Sequence, residues 1–126
     1  MSKIKKLKIK VYVAGPMGRG NVGQNISTGV RVCNCIAEQG FAVFNPFLTH
    51  FWDLLYPHDS VFYMEQDFAW LRSCDLFVRI LSGIASEGAD REEKLARRLG
   101  IPVLYWSAEW KHMQLVHNSK GEWELL

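Results

Sequence analysis

Two carboxylates in this sequence fall where a helix would bury them. On a helix over residues 88–99, stepping ~100° per residue, Gly88, Ala89, Leu95, Ala96 and Leu99 lie within ~60° of Glu92. Asp90, Arg91, Glu93, Lys94, Arg97 and Arg98 take the other side. A helix over 60–74 gathers Tyr63, Met64, Trp70, Leu71 and Cys74 around Asp67 in the same way. An ionised, unpaired carboxylate on an apolar face costs on the order of several kcal/mol. Its pKa rises instead, which suits acid or base work. Either residue alone reads equally as a core acid with a good partner. Two of them, on separate helices, point to a shared pocket.

Two carboxylates around a reactive sugar carbon are a standard means of breaking a glycosidic bond. One attacks or stabilises the oxocarbenium-like centre, and the other manages protons on the leaving group. Tyr12, near the end of a first strand, is either a core aromatic or a hydrogen-bonding partner that orients one of the acids. Ser86 is a helix N-cap by position. Its second reading is a contact to a ligand anion. Gly88 and Ala89, one turn before Glu92, leave room beside its carboxyl group.

Five of the nine residues from Gly15 to Gly23 are Gly or Pro, and Arg19 lies among them. Exposed N–H groups in such a turn, next to a helix start, can hold phosphate. A plain loop is the other reading. There is no Gly-Lys-Ser/Thr, and the Gly-x-Gly-x-x-Gly spacing of Gly18-Arg-Gly-Asn-Val-Gly23 begins too far into the loop for a dinucleotide fingerprint.

The elements that must position these residues alternate. Strands are predicted at 8–14, 41–44, 76–81 and 101–106, and helices at 24–39, 60–73 and 88–99. Gly40 and Gly100 stop the first and last of these helices. The 47–57 segment is aromatic and irregular, with room for a short helix, and offers Phe47, His50, Phe51, Trp52 and Tyr56 as base-stacking surface. The tail from Ser107 reads as a short helix and a final extended piece. A helix there would align Trp106, Trp110 and Met113 in one apolar stripe. The order predicts an α/β fold: a Rossmann-like parallel sheet of about four or five strands with helices on both faces. In such sheets ligands sit outside the carboxyl ends of the strands.

At 126 residues and 48% hydrophobic, the chain reads as one domain over 1–126 with room for a substantial core. The net charge of +2 does not argue for nucleic acid, and most of the excess sits in Lys3, Lys5, Lys6, Lys8 and Lys10, a solvated arm. The three cysteines, Cys33, Cys35 and Cys74, are odd in number and lack zinc or redox spacing, so free thiols are expected. The four histidines lack ligand spacing, and no metal site is predicted. No apolar run of about 18 residues is present, so the expectation is a soluble, cytoplasmic protein without membrane contact.

Three segments carry a resemblance to a known family. They are Val11-Tyr-Val-Ala-Gly-Pro-Met17, Glu65-Gln-Asp-Phe-Ala-Trp-Leu-Arg-Ser-Cys-Asp75, and Ser86-Glu-Gly-Ala-Asp-Arg-Glu92 with Ala96. In order and spacing they resemble the nucleoside 2-deoxyribosyltransferase superfamily over residues 8–106. The nearest functional branch is similar to the 2'-deoxynucleoside 5'-phosphate N-hydrolases. An uncharacterised branch common in phage genomes is also similar.

The resemblance implies roles. Glu92 matches the nucleophile at the anomeric carbon, Asp67 the acid that assists the base or the hydrolytic step, and Tyr12 the tyrosine that positions the glutamate. Ser86 matches the serine that binds the 5'-phosphate in the hydrolase branch, where the transferase branch carries an acid. Gly15, Arg19, Gly20 and Gly88 complete the implied phosphate site. The family often follows its glutamate with small residues. Here Glu93 and Lys94 follow it, and Asp90 and Arg91 precede it. The expected activity is hydrolysis of the N-glycosidic bond of a nucleoside 5'-monophosphate, with water as acceptor and no metal or other cofactor. A deoxyribosyltransferase and a non-catalytic nucleotide-binding or sensing module are the rival expectations. Relatives commonly pair, so a homo-oligomer, at least a dimer, is expected.

Overall fold

The computed structural model describes residues 8–126. The lysines at 3, 5 and 6 lie outside the described residues. Strand β1 (Lys10–Ala14) leads to helix α1 (Val22–Glu38), strand β2 (Ala42–Phe44), a single 3₁₀ turn (Pro46–Leu48) and helix α2 (Thr49–Leu55). Helix α3 (Ser60–Leu71), strand β3 (Leu76–Leu81), helix α4 (Glu87–Arg98) and strand β4 (Val103–Ser107) follow. Strands β5 (Leu115–His117) and β6 (Trp123–Leu125) close the chain.

Strands β1 to β4 form one parallel sheet in the order β2-β1-β3-β4. The central strands β1 and β3 are buried on both faces, so each reads as a near-continuous apolar run rather than an alternation, while the edge strands β2 and β4 are only partly covered. Val11 and Val13 of β1 point to one face, with Leu76, Val78 and Ile80 of β3, against Val32, Cys33 and Ile36 of α1. Tyr12 and Ala14 point to the other, with Phe77, against Leu71 of α3 and Ala89, Leu95 and Ala96 of α4. The period of two along the strands therefore sends Tyr12 to the α3–α4 side.

Three side-chain caps fix where the helices begin. Asn21 accepts from Gln24 N, Asp59 from Phe62 N and Ser86 from Ala89 N. Gly40 (φ +100°) and Gly100 (φ +74°) take the left-handed conformation just past α1 and α4, which explains why glycine stands at both stops.

The tail departs from the sequence expectation. It holds an antiparallel hairpin of β5 and β6 and no helix after β4. Trp106 belongs to β4 and is fully buried, and Met113 and Leu115 join the α1-side core. Polar clasps from α1 hold the segment there. Arg31 donates to the carbonyls of Ala108 (2.9 Å) and Trp110 (2.6 Å). Gln39 donates to the Met113 carbonyl (2.7 Å) and accepts from Leu115 N (2.8 Å). Backbone groups satisfied this way need no helix.

Candidate active site

In the order β2-β1-β3-β4 the chain leaves β1 toward one edge and leaves β3 toward the other. The loops that follow β1 and β3 therefore diverge and open a crevice at the carboxyl ends. A cavity of about 510 Å³ lies there. Gly15, Met17, Gly18 and Arg19 of the first loop form one wall. Residues 85–89 with Arg91 and Glu92 form a second. Thr49, His50 and Asp53 of α2, His58, and Ser60, Tyr63, Met64, Asp67 and Phe68 of α3 form a third.

Glu92 and Asp67 thus reach one cavity from two helices, as their spacing predicts. The hydroxyl of Tyr12, fully buried between Phe44 and Phe77, donates to Oε2 of Glu92. Burial, then the negative charge of Glu92, holds the Tyr12 hydroxyl far above its ordinary pKa. It stays protonated and can only donate. Burial also pushes the Glu92 carboxyl up to about 8; the Tyr12 donor opposes the rise, and the charge of Asp67 adds to it.

Asp67 is 8% exposed, and its Oδ1 is buried with no hydrogen-bond partner. Burial alone raises its carboxyl to about 7. With two acids coupled across one cavity, the state carrying one proton and one charge spans neutral pH. The Tyr12 donor favours a charge on Glu92, yet burial and the charge of Asp67 leave the Glu92 carboxyl the higher of the two, about 8 against about 7, so the free pair shares its proton between them and bound substrate decides where it rests.

Around the start of α4, Ser86 caps the helix, as its position predicts, and also lines the cavity. The N–H groups of Glu87 and Gly88, in the first turn, precede the capped N–H of Ala89 and have no intrahelical acceptor. A Cβ added at Gly88 would meet nothing within 4 Å, so this glycine leaves open space on the cavity wall. Gly15 is tight by contrast: its Cβ would stand 3.2 Å from Ile80 Cβ and 3.4 Å from the Phe47 ring. Arg19 reaches the cavity but is paired with Glu87 (Nη2–Oε1 2.8 Å).

Gly20 is not on the cavity wall. It makes the turn at φ +70°, facing the Ile84 side chain, and so shapes the loop without reaching the site.

The aromatic segment also differs from expectation. Phe47, Phe51, Trp52 and Tyr56 do not line the cavity. Phe47 is buried against α1, where Gly29 makes room for its ring: a Cβ there would lie 2.5 Å from Phe47 Cζ. Phe51 and Tyr56 are exposed. The same stretch contributes polar residues instead, because Thr49, His50 and Asp53 share one face of α2 while Phe51, Leu54 and Leu55 take the other. Helical spacing over 49–55 was the signal that separates the two sets. The aromatic walls come from Tyr63 and Phe68.

Two of the residues that depart from the family pattern, Asp90 and Glu93, have structural employment. Glu93 accepts from Arg79 (3.2 Å), Arg97 (3.1 Å) and Tyr105 (2.9 Å), and Arg79 also pairs with Asp90 (2.7 Å). This network ties α4 to β3 and β4 on the side away from the cavity. Cys33, Cys35 and Cys74 are free thiols. Among the described residues no group of three or more potential ligands gathers for a metal ion, and no helix is long and apolar enough to cross a membrane.

A search of curated protein sequences found no match. Among solved structures, the chain is similar to a 2-deoxyribosyltransferase from Bacillus psychrosaccharolyticus, with 21% identity and a TM-score of 0.56 over 78% of this chain and 72% of that one. That likeness shows a shared fold. A family model described as a domain of unknown function, DUF4406, matches residues 9–105. The chain belongs to the DUF4406 family and carries it on the fold of a nucleoside 2-deoxyribosyltransferase.

Proposed function

We propose that this protein cleaves the N-glycosidic bond of a nucleoside 5'-monophosphate, releasing free base and sugar 5-phosphate. The observation that carries the reading is the arrangement of Tyr12, Glu92 and Asp67 about one cavity: two buried carboxyls, one held by a phenol and the other with an unpartnered oxygen. In the first step the Glu92 carboxylate attacks C1' of the sugar. The C1'–N bond breaks, and its electron pair leaves with the base, which takes the proton of Asp67. Asp67, now ionised, then accepts a proton from water as the water oxygen attacks C1' and expels Glu92. Atoms and charge balance, and both carboxyls return to their starting states.

Ser86, Arg19, Gly88 and the free N–H groups at the start of α4 support a phosphate on this side of the cavity, with Gly15 beneath it. Tyr63 and Phe68 support a base on the other. Transfer of the sugar to a second base is the alternative, and the shared fold favours it equally. Three free thiols support a reducing, cytoplasmic setting. The working form is a homo-oligomer.

Incubation with paired ribo- and deoxynucleotides and their nucleosides, scored for free base, tests the reading. Release from the nucleotides and a much slower release from nucleosides is expected. Equal rates would remove the phosphate site. A new nucleoside on addition of an acceptor base would make the protein a transferase, and tight nucleotide binding without any base release would make it a binding module.

A further inference from the structure

The Arg19–Glu87 pair occupies the place where a phosphate would sit. Both residues line the cavity, both side chains are more than half exposed, and their contact is 2.8 Å. Glu87 is the first residue of α4, directly after Ser86 and before the open space at Gly88. A phosphate that uses Ser86, the α4 N–H groups and Arg19 must therefore enter beside a carboxylate that already holds the arginine.

We propose that Glu87 is an internal competitor for the substrate phosphate: it holds Arg19 in the free protein and gives it up when a phosphorylated substrate binds. This rests on the reading of the cavity as a nucleotide site. Three features carry it. Glu87 mimics one face of a phosphate toward Arg19, presenting a carboxylate oxygen to the guanidinium. The pair is exposed, so its dissociation costs little and a dianion can outbid it. Glu87 makes no other side-chain hydrogen bond or ion pair among the described residues, whereas the neighbouring acids Asp90 and Glu93 are engaged by Arg79 on the far side of α4. Glu87 then sets how strongly the site prefers a phosphorylated substrate. It prevents weaker anions from occupying the arginine and lowers the affinity for every phosphate by the same competition.

The test is Glu87→Gln, Arg19→Met and the double variant, each assayed with a deoxynucleoside 5'-monophosphate and the matching nucleoside. In parallel, the same nucleotide is titrated calorimetrically into each variant combined with Glu92→Gln. Glu87→Gln is expected to lower the nucleotide KM and Kd roughly threefold to tenfold and to raise the nucleotide-over-nucleoside ratio of kcat/KM by the same factor. Arg19→Met should weaken nucleotide binding, and in its background the gain from Glu87→Gln should vanish. Added inorganic phosphate should inhibit Glu87→Gln at lower concentration than wild type.

An unchanged or weakened nucleotide Kd in Glu87→Gln overturns the competition while leaving the nucleotide reading intact, as does a gain that survives in the Arg19→Met background. Wild-type protein that neither binds nor cleaves any nucleotide overturns both.

Discussion

The Tyr12 hydroxyl donates to Oε2 of Glu92 across the junction of β1 and α4, between residues separated by 80 positions in sequence. Neither partner has freedom to choose another. Tyr12 is stacked between Phe44 (5.3 Å) and Phe77 (5.7 Å), and Glu92 is held by a helix capped at Ser86 and tied to the sheet through Glu93. The contact presents a carboxylate to the cavity in one orientation and favours its charged form.

Glu92→Gln is expected to abolish base release while the far-ultraviolet circular dichroism stays that of the wild type. Tyr12→Phe tests the positioning role separately. Its loss removes the donor that opposes the upward push of burial on Glu92, so the Glu92 pKa climbs further above about 8. Activity that needs ionised Glu92 should then rise along an acid limb displaced to higher pH. A Tyr12→Phe profile superimposable on the wild type would strip Tyr12 of that role.

Asp67→Asn should reduce turnover ~10²-fold or more, as loss of a proton-transfer group does. Its effect on stability has a definite sign. The folded-state pKa is raised from 3.8 to about 7 by burial. The contribution of Asp67 to stability is therefore fully present below pH ~4 and is lost as pH rises through ~7. Asn does not titrate, so the variant should gain on the wild type between pH 5 and 8. Urea unfolding at both pH values measures this; an equal difference at the two would mean that Asp67 is not desolvated in the native protein.

Gly88→Leu probes the open space on the cavity wall. Nothing lies within 4 Å of the added Cβ, so folding should tolerate the change, and leucine is the better helix former. The side chain enters the space beside Glu92, and substrate KM should rise tenfold or more, on the order of the cost of a blocked contact. Thermal unfolding and steady-state kinetics together separate this from Gly29→Ala, which drives a Cβ to 2.5 Å from the Phe47 ring and should lower Tm with the cavity untouched.

Much of this architecture is legible from residue spacing alone. The strand at 76–81 and the helix with its Ser86 cap follow from local signals: an apolar run bounded by turns, and a capping residue ahead of an amphipathic repeat. Glu92 and Asp67 announce themselves because a carboxylate on an apolar face contradicts its surroundings. The pairing of Arg19 with Glu87 lies 68 positions apart and leaves no local trace. The tail departs from its helical spacing for a related reason. Trp106, Trp110 and Met113 fit a helical stripe, but β4 claims Trp106 through its pairing with Ile80, a tertiary contact that overrides the local pattern. On α2, aromatic composition points to His50 together with four rings that stay off the cavity, whereas helical phase groups His50 with Thr49 and Asp53, the residues that line it.

Met113 and Leu115 are buried, so the tail offers no continuous Trp106–Trp110–Met113 stripe to a partner subunit. The apolar surface lies instead on and around α2: Leu48 (63% exposed), Phe51 (67%), Leu54 (69%), Leu55 (65%) and Tyr56 (69%). A contiguous face of this kind is unusual on a monomer. It is the reverse side of the helix whose Thr49, His50 and Asp53 line the cavity. This helix buries no residue of its own; Trp52 packs edge-on against Phe62 and Tyr63 of α3, and the outer face is left uncovered within one chain. A second copy packed on that face would hold α2 and, with it, one wall of the site. Sedimentation velocity of the wild type at micromolar concentration should therefore find a dimer or larger assembly. The double substitution Phe51→Glu, Leu55→Glu should give a monomer with intact circular dichroism and a raised substrate KM. A wild type that sediments as a monomer with full activity would overturn both the pairing and its contribution to the cavity.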